Sequence, residues 1–95
     1  MDIIICSSKS LAIMLSKFIL SLPSWQEDEL IIISTKGNKL TIGEYSMDIE
    51  SKRDWSFEFD LRKIKQIKRV AKKIPEQPVS IIFQYNGVEF RNILV

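Results

Sequence analysis

The sequence predicts an α+β fold in which two strand–helix–hairpin units form antiparallel sheet, with two helices on one face. Three observations predict it. Apolar residues recur at helical spacing over two stretches, 8–22 and 61–74, and each stretch is closed by proline. Elsewhere apolar and polar residues alternate with the period of a half-buried strand. The alternating runs are joined by Lys36-Gly37-Asn38 and Asn86-Gly87, which are hairpin turn residues.

Taken in order, Ile3-Ile4-Ile5 is a β-branched run and reads as a short buried strand. Ser7 or Ser8 offers an N-cap, its hydroxyl accepting from a free N–H of the first turn. Leu11, Met14, Leu15, Phe18 and Leu22 then make the apolar stripe of a first helix, stopped by Pro23. Trp25 to Glu29 is a loop with the acidic run Glu27-Asp28-Glu29. Leu30 to Ile33 is a strand, Gly37 tolerates the positive φ of the turn, and 39–45 is the returning strand. Met47 to Glu50 is a further strand candidate, and Ser51 to Asp54 is turn-like.

Trp55, Phe57 and Phe59 alternate with Ser56 and Glu58, a half-buried strand. Asp60 is placed to cap a second helix with the stripe Leu61, Ile64, Ile67, Ala71 and Ile74, closed by Pro75 and Pro78. Val79, Ile81, Phe83 and Tyr85 alternate again. Asn86-Gly87 suits a type I′ turn, and Val88 to Val95 is the last strand. Each half thus reads strand, capped helix, strand, glycine-containing turn, strand. The chain of 95 residues is expected to be one domain with an internal repeat, roughly 1–50 and 51–95.

Two such units in this length resemble one domain of a DNA sliding clamp. The likeness is carried best by Phe57-Glu58-Phe59-Asp60-Leu61, running through Pro75 and Val79-Ser80-Ile81 into the Asn86-Gly87 hairpin. It is a likeness of topology. It implies helices facing DNA with basic residues on them, which suits the second helix better than the first, where only Lys9 and Lys17 are basic. Clamps are rings of several such domains, so a single copy needs self-assembly to encircle DNA.

Composition excludes more chemistry than it suggests. With no histidine, Ser–His–Asp and Cys–His catalysis are absent, and so is the usual base near neutral pH. One cysteine and no histidine cannot make a tetrahedral N/S zinc shell. Glycines at 37, 43 and 87 form no phosphate-cradling loop. Cys6 reads as a small buried hydrophobe, and Glu44, Asp48 and Glu50 as a solvated sheet face. The expectation is a protein that is no enzyme, with no cofactor and no metal. A lone cysteine suits a reducing cytoplasm. The apolar stretches are too short or too interrupted to span a membrane, so no membrane association is expected.

Net charge is +2, unevenly spread. Residues 1–50 carry four basic and seven acidic side chains; residues 51–95 carry ten basic and five acidic. Arg62, Lys65, Arg69, Lys72 and Lys73 fall within an arc of about 100° on the second helix, with Lys63 and Lys68 flanking the apolar stripe. No acid on that helix offsets them, so they are candidates for binding an anion. On the first helix Ile13 and Leu20 lie opposite the core stripe, beside Ala12 and Ser16, and are candidates for a partner or homodimer surface. Glu27, Asp28 and Glu29 are candidates for a basic partner.

A macromolecular binder follows from these absences and surfaces. In size and style the chain resembles small bacterial immunity proteins, which neutralise a toxin by direct binding, as in contact-dependent growth inhibition. The alternative is a clamp-like accessory protein that binds nucleic acid through the second helix.

Overall fold

A computed structural model describes residues 2–23, 27–75, 78–90 and the backbone of 93–94. The element order is β1 (Asp2–Ser7), α1 (Ser8–Leu20), β2 (Leu30–Lys36), β3 (Lys39–Ile42), β4 (Tyr45–Asp48), β5 (Glu50–Ser51), β6 (Trp55–Asp60), α2 (Leu61–Lys73), β7 (Pro78–Gln84), β8 (Gly87–Phe90) and β9 (Ile93–Leu94). Among the described residues these form two antiparallel sheets, β5-β1-β7-β8-β9 and β4-β3-β2-β6, together with two helices. The predicted α+β class holds.

The two halves exchange their leading strands. β1 pairs with β7 from Asp2↔Phe83 to Ser7↔Pro78. β6 pairs with β2 from Leu30↔Asp60 to Thr35↔Trp55. Each half's first strand therefore completes the sheet built by the other half's hairpin. Both six-residue strands run directly into thirteen-residue helices. The caps are Ser7, whose Oγ accepts from Ser10 N–H at 3.2 Å, and Asp60, whose carboxylate accepts from Lys63 N–H at 2.7 Å. The Ser8 hydroxyl, fully buried at the first turn of α1, donates towards the Ile74 and Pro75 carbonyls at 3.4 and 3.3 Å. That contact joins the start of α1 to the end of α2, so the helices run antiparallel, and it satisfies carbonyls that a helix end leaves without partners.

Both predicted stripes pack into the core, Leu22 only partly and from beyond the end of its helix. Leu11, Met14, Leu15 and Phe18 are buried, as are Leu61, Ile64, Ile67, Ala71 and Ile74. They pack with the inner sheet faces, where Trp55, Phe57 and Phe59 gather around Phe83; the Trp55 and Phe83 rings stand 4.7 Å apart. The crossing between sheets is pinned by Thr35, whose buried Oγ1 accepts from Trp55 N–H and donates to the Arg53 carbonyl, both at 3.2 Å. The Asp54 carboxylate accepts from Gly37 N–H at 2.8 Å.

Several boundaries differ from the sequence reading, each for a physical reason. The first helix ends at Leu20, with Ser21 as its cap bonding back to the Lys17 and Phe18 carbonyls. The expected strand 39–45 breaks at Gly43, which turns at φ +57°; a Cβ there would lie 2.9 Å from Phe18 Cε1, so the position excludes a side chain twice over. The expected strand at Met47–Glu50 divides between sheets, with buried Ile49 at the crossing. In the last hairpin Gln84 pairs with Gly87, so Tyr85 and Asn86 are the turn and Gly87 already belongs to β8. Ile3 and Ile5 are 51% and 40% exposed, with only Ile4 wholly buried. A β-branched run suits a strand covered on both faces, but the outer face of this sheet is open. Trp25, and residues 91, 92 and 95 of the expected last strand, lie outside the described residues.

Candidate functional site

The residues with nucleophilic or acid–base chemistry are scattered. Cys6 is buried on β1, and burial pushes its thiol up to about 12, far from a reactive thiolate. Asp48 pairs with Lys39 at 2.5 Å on one sheet, Glu50 lies on the edge strand of the other, and Glu44 sits in the turn between β3 and β4. Among the described residues no group of three or more Cys, Asp or Glu side chains is placed to hold a metal ion. Asp2 is buried and bonds to the exposed Arg53 guanidinium at 2.5 Å, which holds Arg53 firmly protonated. This is an anchor of the β5–β6 crossing.

The basic arc of α2 is divided by the acidic loop. Glu27 takes the Arg62 N–H on its carbonyl at 3.2 Å and the Lys65 ammonium on its carboxylate at 2.8 Å. Asp28 and Glu29 follow, both exposed. Glu27 thus caps the start of α2 and neutralises Lys65, although no acid on the helix itself does so. The predicted ridge of Arg62, Lys65, Arg69, Lys72 and Lys73 carries one internal ion pair, at Lys65. Arg62 on one side of that pair and Arg69, Lys72 and Lys73 on the other are exposed.

Of these, Lys72 meets the outer face of α1. A groove of about 570 Å³ runs along α1 and crosses to the end of α2. Ala12 and Ile74, both buried, floor it, and Ser16 is half-buried beside them. Ile13, 46% exposed, and Leu20, 84% exposed, wall it. Lys9, Lys17 and Lys72 stand exposed around the rim, and no acidic side chain lines it among the described residues. Ile13 and Leu20 are thus solvent-facing as expected, while Ala12 turns inward instead of lying with them on the surface.

The site unites two features that read as separate along the chain. Its apolar wall comes from α1 and part of its positive rim from α2. The α1 contribution was legible: positions 9, 13, 16, 17 and 20 fall on one helical face at 100° per residue. Lys72 and Ile74 were not, because only the antiparallel seating of the helices brings them there. A second apolar recess, lined by Ile3, Ile5, Lys52 and Arg53 among others, lies outside β1 and β5.

No protein-family model matches the chain, and no curated protein matches it in sequence. Among the described residues no helix is long and apolar enough to cross a membrane.

Proposed function

We propose that this is a non-catalytic binding protein of the immunity type, which neutralises a bacterial toxin by seating it on the α1–α2 groove. The observation that carries the reading is the pairing of an exposed apolar wall, Ile13 and Leu20, with a rim of Lys9, Lys17 and Lys72. Exposed apolar side chains in a groove gain free energy when another apolar surface displaces their water, at roughly 25 cal/mol per Å². Phosphate groups cannot supply that surface, and an apolar protein patch can. A lysine rim adds orientation and speed of encounter to such a contact, and it selects a docking face rich in Asp and Glu. The groove is therefore the form of a protein–protein site, apolar at its centre and polar at its rim.

The alternative reading, a clamp-like nucleic-acid accessory protein, is favoured by the exposed Arg69, Lys72 and Lys73 with Lys9 and Lys17 nearby. Two features weigh against it. Glu27 offsets Lys65 within the basic arc, and among the described residues no aromatic side chain lines the groove to stack on bases.

Growth rescue separates the two. The reading requires an adjoining reading frame that encodes a toxin, and the chain is co-expressed with that product; a neighbourhood with no such frame counts against the reading. The wild type is expected to restore growth, and the exposed double variant Ile13→Glu with Leu20→Glu is expected to fold normally and to lose protection. Binding to random-sequence duplex DNA should be negligible at about 150 mM salt. Salt-steep DNA binding, falling by about 0.9 in log K per log salt for each phosphate contact, would reverse the ranking.

A further inference from the structure

The outer face of the β4-β3-β2-β6 sheet carries the complement of the groove. Along β2, Leu30 is 64% and Ile32 58% exposed, both on the face turned away from the core, because Ile33 and Thr35 occupy the inner face. Sheets with one solvated face ordinarily place polar residues there. Two large aliphatic side chains at successive outward positions depart from that rule. Their surroundings are acidic. Glu58 lies directly across from Ile32 on β6, and Asp28 and Glu29 lead into Leu30. All three acids are exposed and, among the described residues, none makes an ion pair, whereas Glu27 is already held by Lys65. The nearest cation along β2, Lys36, is four positions beyond Ile32, about 13 Å away.

We infer that the protein associates with itself head to tail, the Leu30/Ile32 face of one copy seating in the α1–α2 groove of the next. Ile13 and Leu20 meet Leu30 and Ile32, and the Lys17 and Lys72 ammonium groups meet the Glu29 and Glu58 carboxylates. The two surfaces belong to different layers of the fold, so the contact is heterologous: each added copy leaves one groove and one sheet face unfilled, and assembly continues unless the chain closes into a ring. The inference shares the groove with the proposed function but does not depend on the toxin; a partner bound there would compete with assembly.

The test is sedimentation velocity of the purified chain up to about 1 mM, the weak end of ordinary affinities. The wild type is expected to grow in mass with concentration, and less so at ~0.5 M salt, where surface charges are largely screened. The variants Leu30→Glu/Ile32→Glu and Ile13→Glu/Leu20→Glu should each be monomeric. Mixed, they should form a heterodimer and stop there, because one retains the groove and the other the sheet face. If either variant unfolds, Lys17→Glu/Lys72→Glu and Glu29→Lys/Glu58→Lys replace the pair, each weakened at least ~10-fold alone and restored on mixing. A wild type that stays monomeric at every concentration overturns the inference, as does a mixture that forms no complex. Leu30→Glu/Ile32→Glu keeps its groove, so it should still protect cells from the toxin. Loss of self-association and failure of the toxin reading are thus read in different assays.

Discussion

The two strand–helix units differ far more outside than inside. β1–α1 and β6–α2 match in length, each strand runs straight into its helix, and each helix turns a full apolar stripe to the same core. Their outer faces share almost nothing. α1 shows Ile13 and Leu20 between lysines, and α2 shows arginine and lysine alone at its exposed positions. Packing constrains the inner stripe to close-fitting apolar side chains, whereas solvent accepts nearly anything. The outer faces are free to differ, and the groove exists because antiparallel packing lays one kind beside the other.

The largest test of that division compares buried and exposed positions on the helices. Leu15→Ala on α1 and Ile64→Ala on α2, both wholly buried, should each cost about 2–5 kcal/mol in urea unfolding. Leu20→Ala on the outer face should stay within about 0.5 kcal/mol. A comparable loss at Leu20 would mean that the outer face is held by packing and is not free for a partner.

The next concerns equivalent places on the leading strands, Cys6 on β1 and Phe59 on β6, both buried one residue before the caps Ser7 and Asp60. Only Cys6 titrates. The unfolded chain releases its thiol proton from roughly pH 8.5 upward, whereas the folded chain keeps it until about 12. The contribution is therefore complete below the unfolded value and is lost as pH rises through this window, at up to about 1.4 kcal/mol per pH unit. Measured across pH 8 to about 11, wild-type stability should fall more steeply than that of Cys6→Ala. Parallel curves would show that the thiolate is tolerated where it stands.

The smallest effect separates the caps. Asp60→Ala should cost about 1–2 kcal/mol, losing a charged acceptor at 2.7 Å, and Ser7→Ala about 0.5–1, losing a neutral one at 3.2 Å. Thermal unfolding of the two variants decides the order, and equal losses would remove this distinction between the halves.

The sequence by itself determined the α+β class, both helices with their core stripes, Asp60 as a cap, the Gly37 turn and the outward placement of Ile13 and Leu20. These follow from periodicity and local backbone preference, which act between residues a few positions apart. Tertiary structure decided the rest. It crossed β1 and β6 between the halves, opened one face of Ile3 and Ile5 to solvent, and turned Ala12 inward. It also set Glu27 against Lys65, 38 positions away, and brought Lys72 and Ile74 to the α1 groove. None of these could be read along the chain, because each depends on which distant element comes to rest alongside, and no local spacing encodes that.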